Sequence, residues 1–259
     1  MPDKSLGQHW LKNREILEHI VEFAELTVED TVLEIGPGPG TLTSVLLSKA
    51  KTVVAVEFDE DLANKLPKQF PGKDLQVVHS DILSYDLNQL PKGYKVVANV
   101  PYYITSKIVQ LLMTAENKPR VVVLLVQKEV AERLAAVGGK HSILSVSAQL
   151  FANVRLGDKV PAHFFEPAPK VDSQVVILQP HSKPLFENFD QKMFFQVVKA
   201  GFSAKRKKII SSLSAGLAIE KDQTQSMLSA VGVDPNQRAE NLSLQEWWDL
   251  AQEVKNDNN

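Results

Sequence analysis

The chain has no cysteine among its 259 residues. Disulfides and thiolate metal sites are excluded, and so is every mechanism that depends on a Cys nucleophile, C5 methylation of pyrimidines included. The six histidines are scattered without ligand spacing, so no metal is expected. Long apolar runs are also missing. The longest, residues 121–126, falls far short of the roughly 20 residues a bilayer demands, so no membrane association is expected. The start, Met1-Pro2-Asp3-Lys4, lacks the basic-then-apolar order of a signal peptide, and the cytoplasm is the expected location. Neither sign of charge dominates, the formal net charge being −2. Nucleic-acid-binding domains often have a pI above about 9, so any hold on a polyanion must come from local basic patches. What remains, 44% hydrophobic and 23% charged residues, describes an ordinary soluble globular protein, long enough for a large domain and a small one.

The first 180 residues alternate two periodicities. Residues 11–24 place Leu17, Ile20, Val21 and Ala24 on one helical face. Apolar runs at 31–35, 52–57, 75–79, 94–98 and 120–126 read as strands, continuous rather than alternating because helices cover both faces of their sheet. Helical stretches near 41–49, 59–69 and 105–115 separate them. Such alternation predicts a doubly wound, mostly parallel sheet, with residues 153–160 and 173–179 closing it as an antiparallel pair. Two prolines within residues 180–184 break regular structure, which puts the domain boundary at 180. Beyond it no strand pattern recurs. Residues 190–200, 205–217, 221–231 and 243–254 read as short amphipathic helices of a small domain, 181–259.

The turn after the first predicted strand is Gly36-Pro37-Gly38-Pro39-Gly40. Glycine lets backbone turn sharply and approach a ligand, and the following helix presents free N–H groups. The spacing is G-x-G-x-G, not the G-x-G-x-x-G of dinucleotide enzymes. A tight structural turn would need the same glycines. Glu57 ends the second predicted strand, where an acid can accept hydrogen bonds from both ribose hydroxyls of a nucleoside. Asp81, after the third, can accept from the adenine amino group of the same ligand, and is equally placed to cap a helix. Three such groups after successive strands gather at the carboxyl edge of the sheet, where open α/β folds bind ligands.

The most specific motif is Asn99-Val100-Pro101-Tyr102. An amine conjugated to a ring is a poor nucleophile. Two acceptors, the Asn99 side-chain oxygen and a nearby backbone carbonyl, can bind its hydrogens and stabilise the charge that develops during attack. Pro101 stiffens the loop and supplies no competing N–H. Tyr102 can stack on the target base, worth roughly 1–3 kcal/mol. The motif therefore points to methylation of an exocyclic amine.

These four features together resemble the ribosomal RNA adenine dimethyltransferases, most of all the small-subunit dimethyladenosine transferases of kasugamycin-sensitivity type. The likeness runs from Ser5 to about Trp248. Leu6-Gly7-Gln8-His9-Trp10-Leu11 resembles the family's L-G-Q-N-F-L, with His for the usual Asn. Phe165-Glu166-Pro167-Ala168-Pro169-Lys170-Val171-Asp172-Ser173 resembles its F-x-P-P-P-K-V-D-S, with Ala168 for one proline. Residues 138–149 match L-S-V-x-x-Q but lack the usual Tyr-Gly pair. Phe202 to Lys208 resembles F-x-x-R-R-K, and residues 238–243 match R-A-E-x-L-S.

The resemblance implies a Rossmann-like class I methyltransferase fold with a seven-stranded sheet and a small all-helical C-terminal domain. It implies S-adenosylmethionine as cofactor, S-adenosylhomocysteine as product, and no metal. His9, Leu11, Gly36, Gly38, Glu57, Asp81 and Asn99 would bind the cofactor. Asn99, Pro101, Tyr102 and Phe165 would form the reaction site, Phe165 as a second aromatic wall around the flipped base. Lys205, Arg206, Lys207 and Lys208 would contact RNA phosphates, although a basic run is by itself as well suited to a solvated helix face. The implied substrate is a pair of adjacent adenosines in a hairpin near the 3′ end of small-subunit ribosomal RNA, within an immature small subunit, and a monomer is expected to act on it. Three alternatives stay open: a large-subunit adenine methyltransferase of macrolide-resistance type, a DNA adenine methyltransferase, and a chiefly non-catalytic factor in ribosome assembly or transcription.

Overall fold

The computed structural model describes residues 9–183, 185–186 and 190–257, with all their side chains except those of Tyr102, Asn256 and Asp257. In chain order the elements begin with β1 (Trp10–Leu11), α1 (Arg14–Glu22), β2 (Thr31–Ile35), α2 (Thr41–Lys49), β3 (Thr52–Glu57), α3 (Glu60–Gln69) and β4 (Leu75–His79). Next come β5 (Lys95–Asn99), α4 (Thr105–Thr114), β6 (Val121–Gln127), α5 (Lys128–Leu134), α6 (Ile143–Phe151) and β7 (Ala152–Val160). The rest are β8 (Phe165–Glu166), β9 (Ser173–Pro180), α7 (Gln191–Gly201), α8 (Ile209–Leu217), α9 (Lys221–Ala230) and α10 (Leu244–Asp257). No described helix is long and apolar enough to cross a membrane.

The described residues up to Ala135, with Ala152–Pro180, form one compact unit. Its seven-stranded sheet has the order β4-β3-β2-β5-β6-β9-β7 among the described residues. Strands β4, β3, β2, β5 and β6 run parallel, and β9 lies antiparallel to both β6 and β7. The Rossmann-like α/β architecture expected from the sequence is the one present. Its cause is visible in the strands: Val32, Leu33, Val53, Val96, Val97 and residues 122–126 of β6 are all at most 1% exposed, so helices must cover both faces. Lys95 is one of the buried polar residues of these strands. It pairs with Asp30 at 3.0 Å and donates to Glu25 O at 2.7 Å, pinning the start of β5 to the loop before β2.

Two short strands, β1 and β8, pair antiparallel through Trp10↔Glu166 and Leu11↔Phe165. Two residues each are too few to carry a hydrophobic period, which is why no sequence pattern announces them.

The second unit comprises Ala136–Phe151 and the described residues from His181 onward. Residues 136–151 thus depart from the continuous 1–180 domain expected from the sequence. The reason is packing: Val146 and Leu150 of α6 are buried in the same cluster as Phe194, Val198 and Trp247. In this unit α8 lies so close to α7 that a Cβ on Gly216 would stand 2.5 Å from Ala200 Cα and 2.8 Å from its carbonyl oxygen.

That contact yields a stability prediction. Gly216→Ala gains helix propensity of up to about 1 kcal/mol, but the clash is with backbone, which cannot swing aside. Overpacking of about 1–3 kcal/mol should win. Denaturant unfolding of the variant should show a lower midpoint, and an unchanged or higher midpoint would mean that α7 and α8 separate freely.

Candidate active site

The loops after β2, β3, β4 and β5 enclose a cavity of about 330 Å³ at the carboxyl edge of the sheet, a size suited to a small-molecule ligand. Gly36, Gly38, Glu57, Asp81, Asn99 and Pro101 all line it, as do His9 and Leu11. Eight positions singled out from sequence thus converge on one place.

The glycine loop is built for backbone approach. Gly36, Gly38 and Gly40 have φ of 66°, 56° and 86°, a region that side chains disfavour. At Gly38 a Cβ would also lie 3.3 Å from Trp10 Nε1, so the indole of the N-terminal arm rests against the loop. Gly36 N–H donates to Val56 O at 2.9 Å, and Gly38 N–H donates to Glu57 Oε2 at 2.9 Å. Glu57 Oε1 accepts from Asp59 N–H at 2.9 Å. Glu57 is therefore no solvated strand-end carboxylate: it is 5% exposed and holds the loop itself. Each of its oxygens keeps a further lone pair for a ligand hydroxyl.

Glu34, one strand over, is an acid whose role the sequence reading left unassigned. It is 1% exposed, lines the same cavity, and accepts from Thr43 Oγ1 at 2.7 Å. Burial pushes its carboxyl up to about 8; the Thr43 hydrogen bonds oppose this and the charge of Glu57 adds to it. The available signal was an acid inside an otherwise apolar strand. Asp81 caps a turn and also stands at the cavity. Its Oδ1 accepts Leu83 N–H at 2.9 Å as the cap of a short 3-10 turn, and the residue lines the cavity.

Asn99 ends β5. Its Nδ2 donates to His9 O at 3.1 Å. A carbonyl can only accept, so this bond fixes the amide orientation and turns Oδ1 away from His9. The His9 ring in turn meets Pro167 O at 2.7 Å through Nδ1, which must carry the hydrogen. His9 thus joins Asn99 to the loop after β8 through its own backbone and ring. Pro101 opens a 3-10 turn spanning Tyr102–Ile104. The Tyr102 side chain, like residues 5–8 of the arm and Pro184 of the linker, lies outside the described residues. The cavity wall continues past the tetrapeptide through Tyr103, Ile104 and Lys107, and the sequence reading gave no role to any of the three.

Phe165 is placed differently from the expectation. It is 5% exposed, belongs to the core cluster of the first unit, and does not line the cavity. Its backbone pairs with Leu11 in the β1–β8 ribbon, which turns the ring inward. In this structure Phe165 packs in the core beside the arm, outside the residues that line the cavity.

In the second unit, Lys205, Arg206, Lys207 and Lys208 are all exposed. They form the turn before α8 instead of opening a helix at 205, because Lys207 N–H closes back on Ala204 O at 2.8 Å. Lys208 Nζ donates to Asn236 Oδ1, and none of the four has an ion-pair partner among the described residues. Ser243, in the R-A-E-x-L-S segment, caps α10 reciprocally with Glu246, its Oγ taking Glu246 N–H at 3.2 Å and donating to Oε2 at 2.8 Å.

The sequence matches the ribosomal RNA adenine dimethylase family over residues 2–256. It is 39% identical over 254 residues to a ribosomal RNA small subunit methyltransferase A of Dehalococcoides mccartyi, covering 96% of this chain and 87% of that one. A protein of the same name from Nostoc is 40% identical over 265 residues, with 96% and 97% covered. Among solved structures, a dimethyladenosine transferase from Plasmodium falciparum superposes with a TM-score of 0.82 at 28% identity, covering 96% of this chain and 98% of that one. The 23S rRNA methyltransferase ErmE gives a TM-score of 0.76, also at 28% identity, with 95% and 99% covered. Matched along nearly its whole length, and carrying the glycine loop, the paired acids and the oriented asparagine on one sheet edge, the chain belongs to the ribosomal RNA adenine dimethylase family.

Proposed function

We propose that the chain uses S-adenosylmethionine to methylate adenine N6, twice per base, on two adjacent adenosines in a hairpin near the 3′ end of small-subunit ribosomal RNA. The observation that carries this reading is the Asn99 amide, whose Nδ2 is committed to His9 O so that Oδ1 remains as an acceptor at the cavity.

The cavity fits the cofactor. Gly38 gives a cradle that a Cβ would fill, Glu57 offers lone pairs to ribose hydroxyls, and Asp81 offers one to an adenine amine. When bound, S-adenosylmethionine supplies an electrophilic methyl on a sulfonium centre. Asn99 Oδ1 and a backbone carbonyl of the same loop accept the N6 hydrogens of the target. They favour pyramidal nitrogen and offset its growing positive charge. Pro101 adds no donor that would compete for those acceptors. No strong base is required, because the proton leaves after attack; the rest is in-line positioning. Tyr102 supplies the stacking face for the target base, and the chain works without a metal.

The relatives at 39–40% identity, whose names specify the small subunit, support this substrate over the second reading, a large-subunit one, for which ErmE at 28% stands. Methyl uptake by unmethylated small and large subunits, with nucleoside analysis of the product, decides between them. Labelled N6,N6-dimethyladenosine confined to large subunits would reject the first.

Glu57→Ala should weaken S-adenosylmethionine binding by roughly tenfold or more, since charged hydrogen bonds to the ligand and the tie to Gly38 go together. Glu57→Gln should do no better, because an amide NH2 would face a backbone N–H. Calorimetry giving wild-type affinity for both would remove Glu57 from the site.

Asn99→Ala should lose methyl transfer by about 10²-fold or more even at saturating cofactor, the scale of one preorganised polar group. Near-normal single-turnover rates would make the tetrapeptide structural only.

Reversing Lys205, Arg206, Lys207 and Lys208 to Glu should abolish transfer to ribosomal particles with cofactor affinity intact. It should also flatten the salt dependence of RNA binding, about 0.7 to 0.9 of logarithmic slope being lost per phosphate contact. Full activity of this variant in physiological salt would leave the patch as a solvated turn.

A further inference from the structure

One cation stands on the wall of an otherwise acidic cavity. Glu34, Glu57 and Asp81 line its cofactor side, and Lys107 is the only Lys or Arg lining it among the described residues. Lys107 is exposed and has no hydrogen bond or ion pair among those residues. It lies in the first turn of α4, which begins directly after the Asn99–Ile104 segment. Helical side chains lean toward the N-terminus of their helix, which carries Lys107 back over that segment. Its neighbour Tyr103 lines the same stretch of wall and is 65% exposed.

We infer that Lys107 binds the backbone phosphate of the nucleotide whose base enters the cavity. The inference rests on the function proposed above and adds a contact to it. A base presented to Asn99 must bring its sugar and phosphate to the open side of the same loop. There the acids of the cavity repel a polyanion, and one positive charge at the rim offsets them locally. The other anion available is the cofactor's own carboxylate. Lys107 is set against the reaction loop, whereas the three acids that suit the nucleoside and the cationic groups of the cofactor come from β2, β3 and the turn after β4.

The test uses the full chain and a hairpin RNA with two adjacent loop adenosines, in native form and with an uncharged methylphosphonate replacing the phosphate beside the target adenosine. Fluorescence anisotropy measures binding of both RNAs to wild type, Lys107→Gln and Lys107→Arg, and calorimetry measures S-adenosylmethionine binding. Lys107→Gln should weaken the native RNA by roughly fivefold, the scale of one exposed ion pair. It should lower the logarithmic salt slope by about 0.7, as for one contact to a single strand. Lys107→Arg should restore both. With the methylphosphonate RNA, wild type and Lys107→Gln should bind alike. A Lys107→Gln effect that persists on the methylphosphonate RNA, or wild-type binding of native RNA by that variant, overturns the proposal. Loss of cofactor affinity instead assigns Lys107 to the carboxylate. Because binding is read without turnover, failure of methyl transfer to small subunits would refute the proposed function separately.

Discussion

Glu57 is the constraint from which the rest of the site hangs. Its two carboxylate oxygens take the N–H groups of Gly38 and Asp59, so one side chain at the end of β3 fixes both the glycine loop after β2 and the turn into α3. The parallel pairing of β2 with β3, Ile35 opposite Val56, brings the two strand ends level and makes the bond possible. Once the loop is held with three left-handed glycines, Trp10 can lie against Gly38, and the arm that carries Trp10 also carries His9. His9 O then orients the amide of Asn99. Cofactor cradle and reaction group are thus joined by a chain of hydrogen bonds and close packing, and neither is an independent graft on the sheet.

Much of this was legible from sequence because it depends on local rules. Continuous apolar runs marked the buried parallel strands, and 31–35 and 52–57 fall on β2 and β3; 75–79 falls on β4, which is an edge strand with no buried residue. The glycines, Glu57, Asp81 and Asn99 sit at strand ends, where topology alone assembles them. What escaped were contacts between segments distant in the chain. The β1–β8 ribbon joins residues more than 150 apart through two-residue strands, so nothing local predicts it, and it turns Phe165 into the core. Helix α6 was not among the helices that the sequence pattern announced, and only tertiary packing of Val146 and Leu150 shows that it belongs with α7 and α10. Lys107 was unremarkable in sequence because it stands eight positions beyond Asn99, and only the fold shows it as the one Lys or Arg on the cavity wall among the described residues.

Glu34 shows what the site costs the fold. A carboxyl of this type titrates near 4.5 when solvated and near 8 in the folded chain, chiefly because it is buried. Folding therefore takes up a proton between those values, so this group's contribution to stability is greatest at low pH and declines as pH rises from about 4.5 through 8. A Leu or Val at this position of β2 would carry no such penalty. On the cavity wall it is a largely neutral carboxyl near pH 7, and Glu57 and Asp81 beside it are left to supply the negative potential that suits a ligand with a sulfonium and an ammonium group.

The same potential works against an RNA backbone, and the distribution of charge along the chain answers that conflict. Glu57 and Asp81 stand in the cavity of the first unit, while the exposed run from Lys205 to Lys208 is on the second unit, so the net charge of −2 conceals an uneven distribution. A polyanion cannot be drawn in by the net field of such a protein. Discrete basic side chains are then required to grip it, leaving a base to enter the cavity by stacking and hydrogen bonding. Uncharged groups suit that last step, and the residues following Glu57 and Asp81 in the order of strands, Asn99 and Pro101, are uncharged.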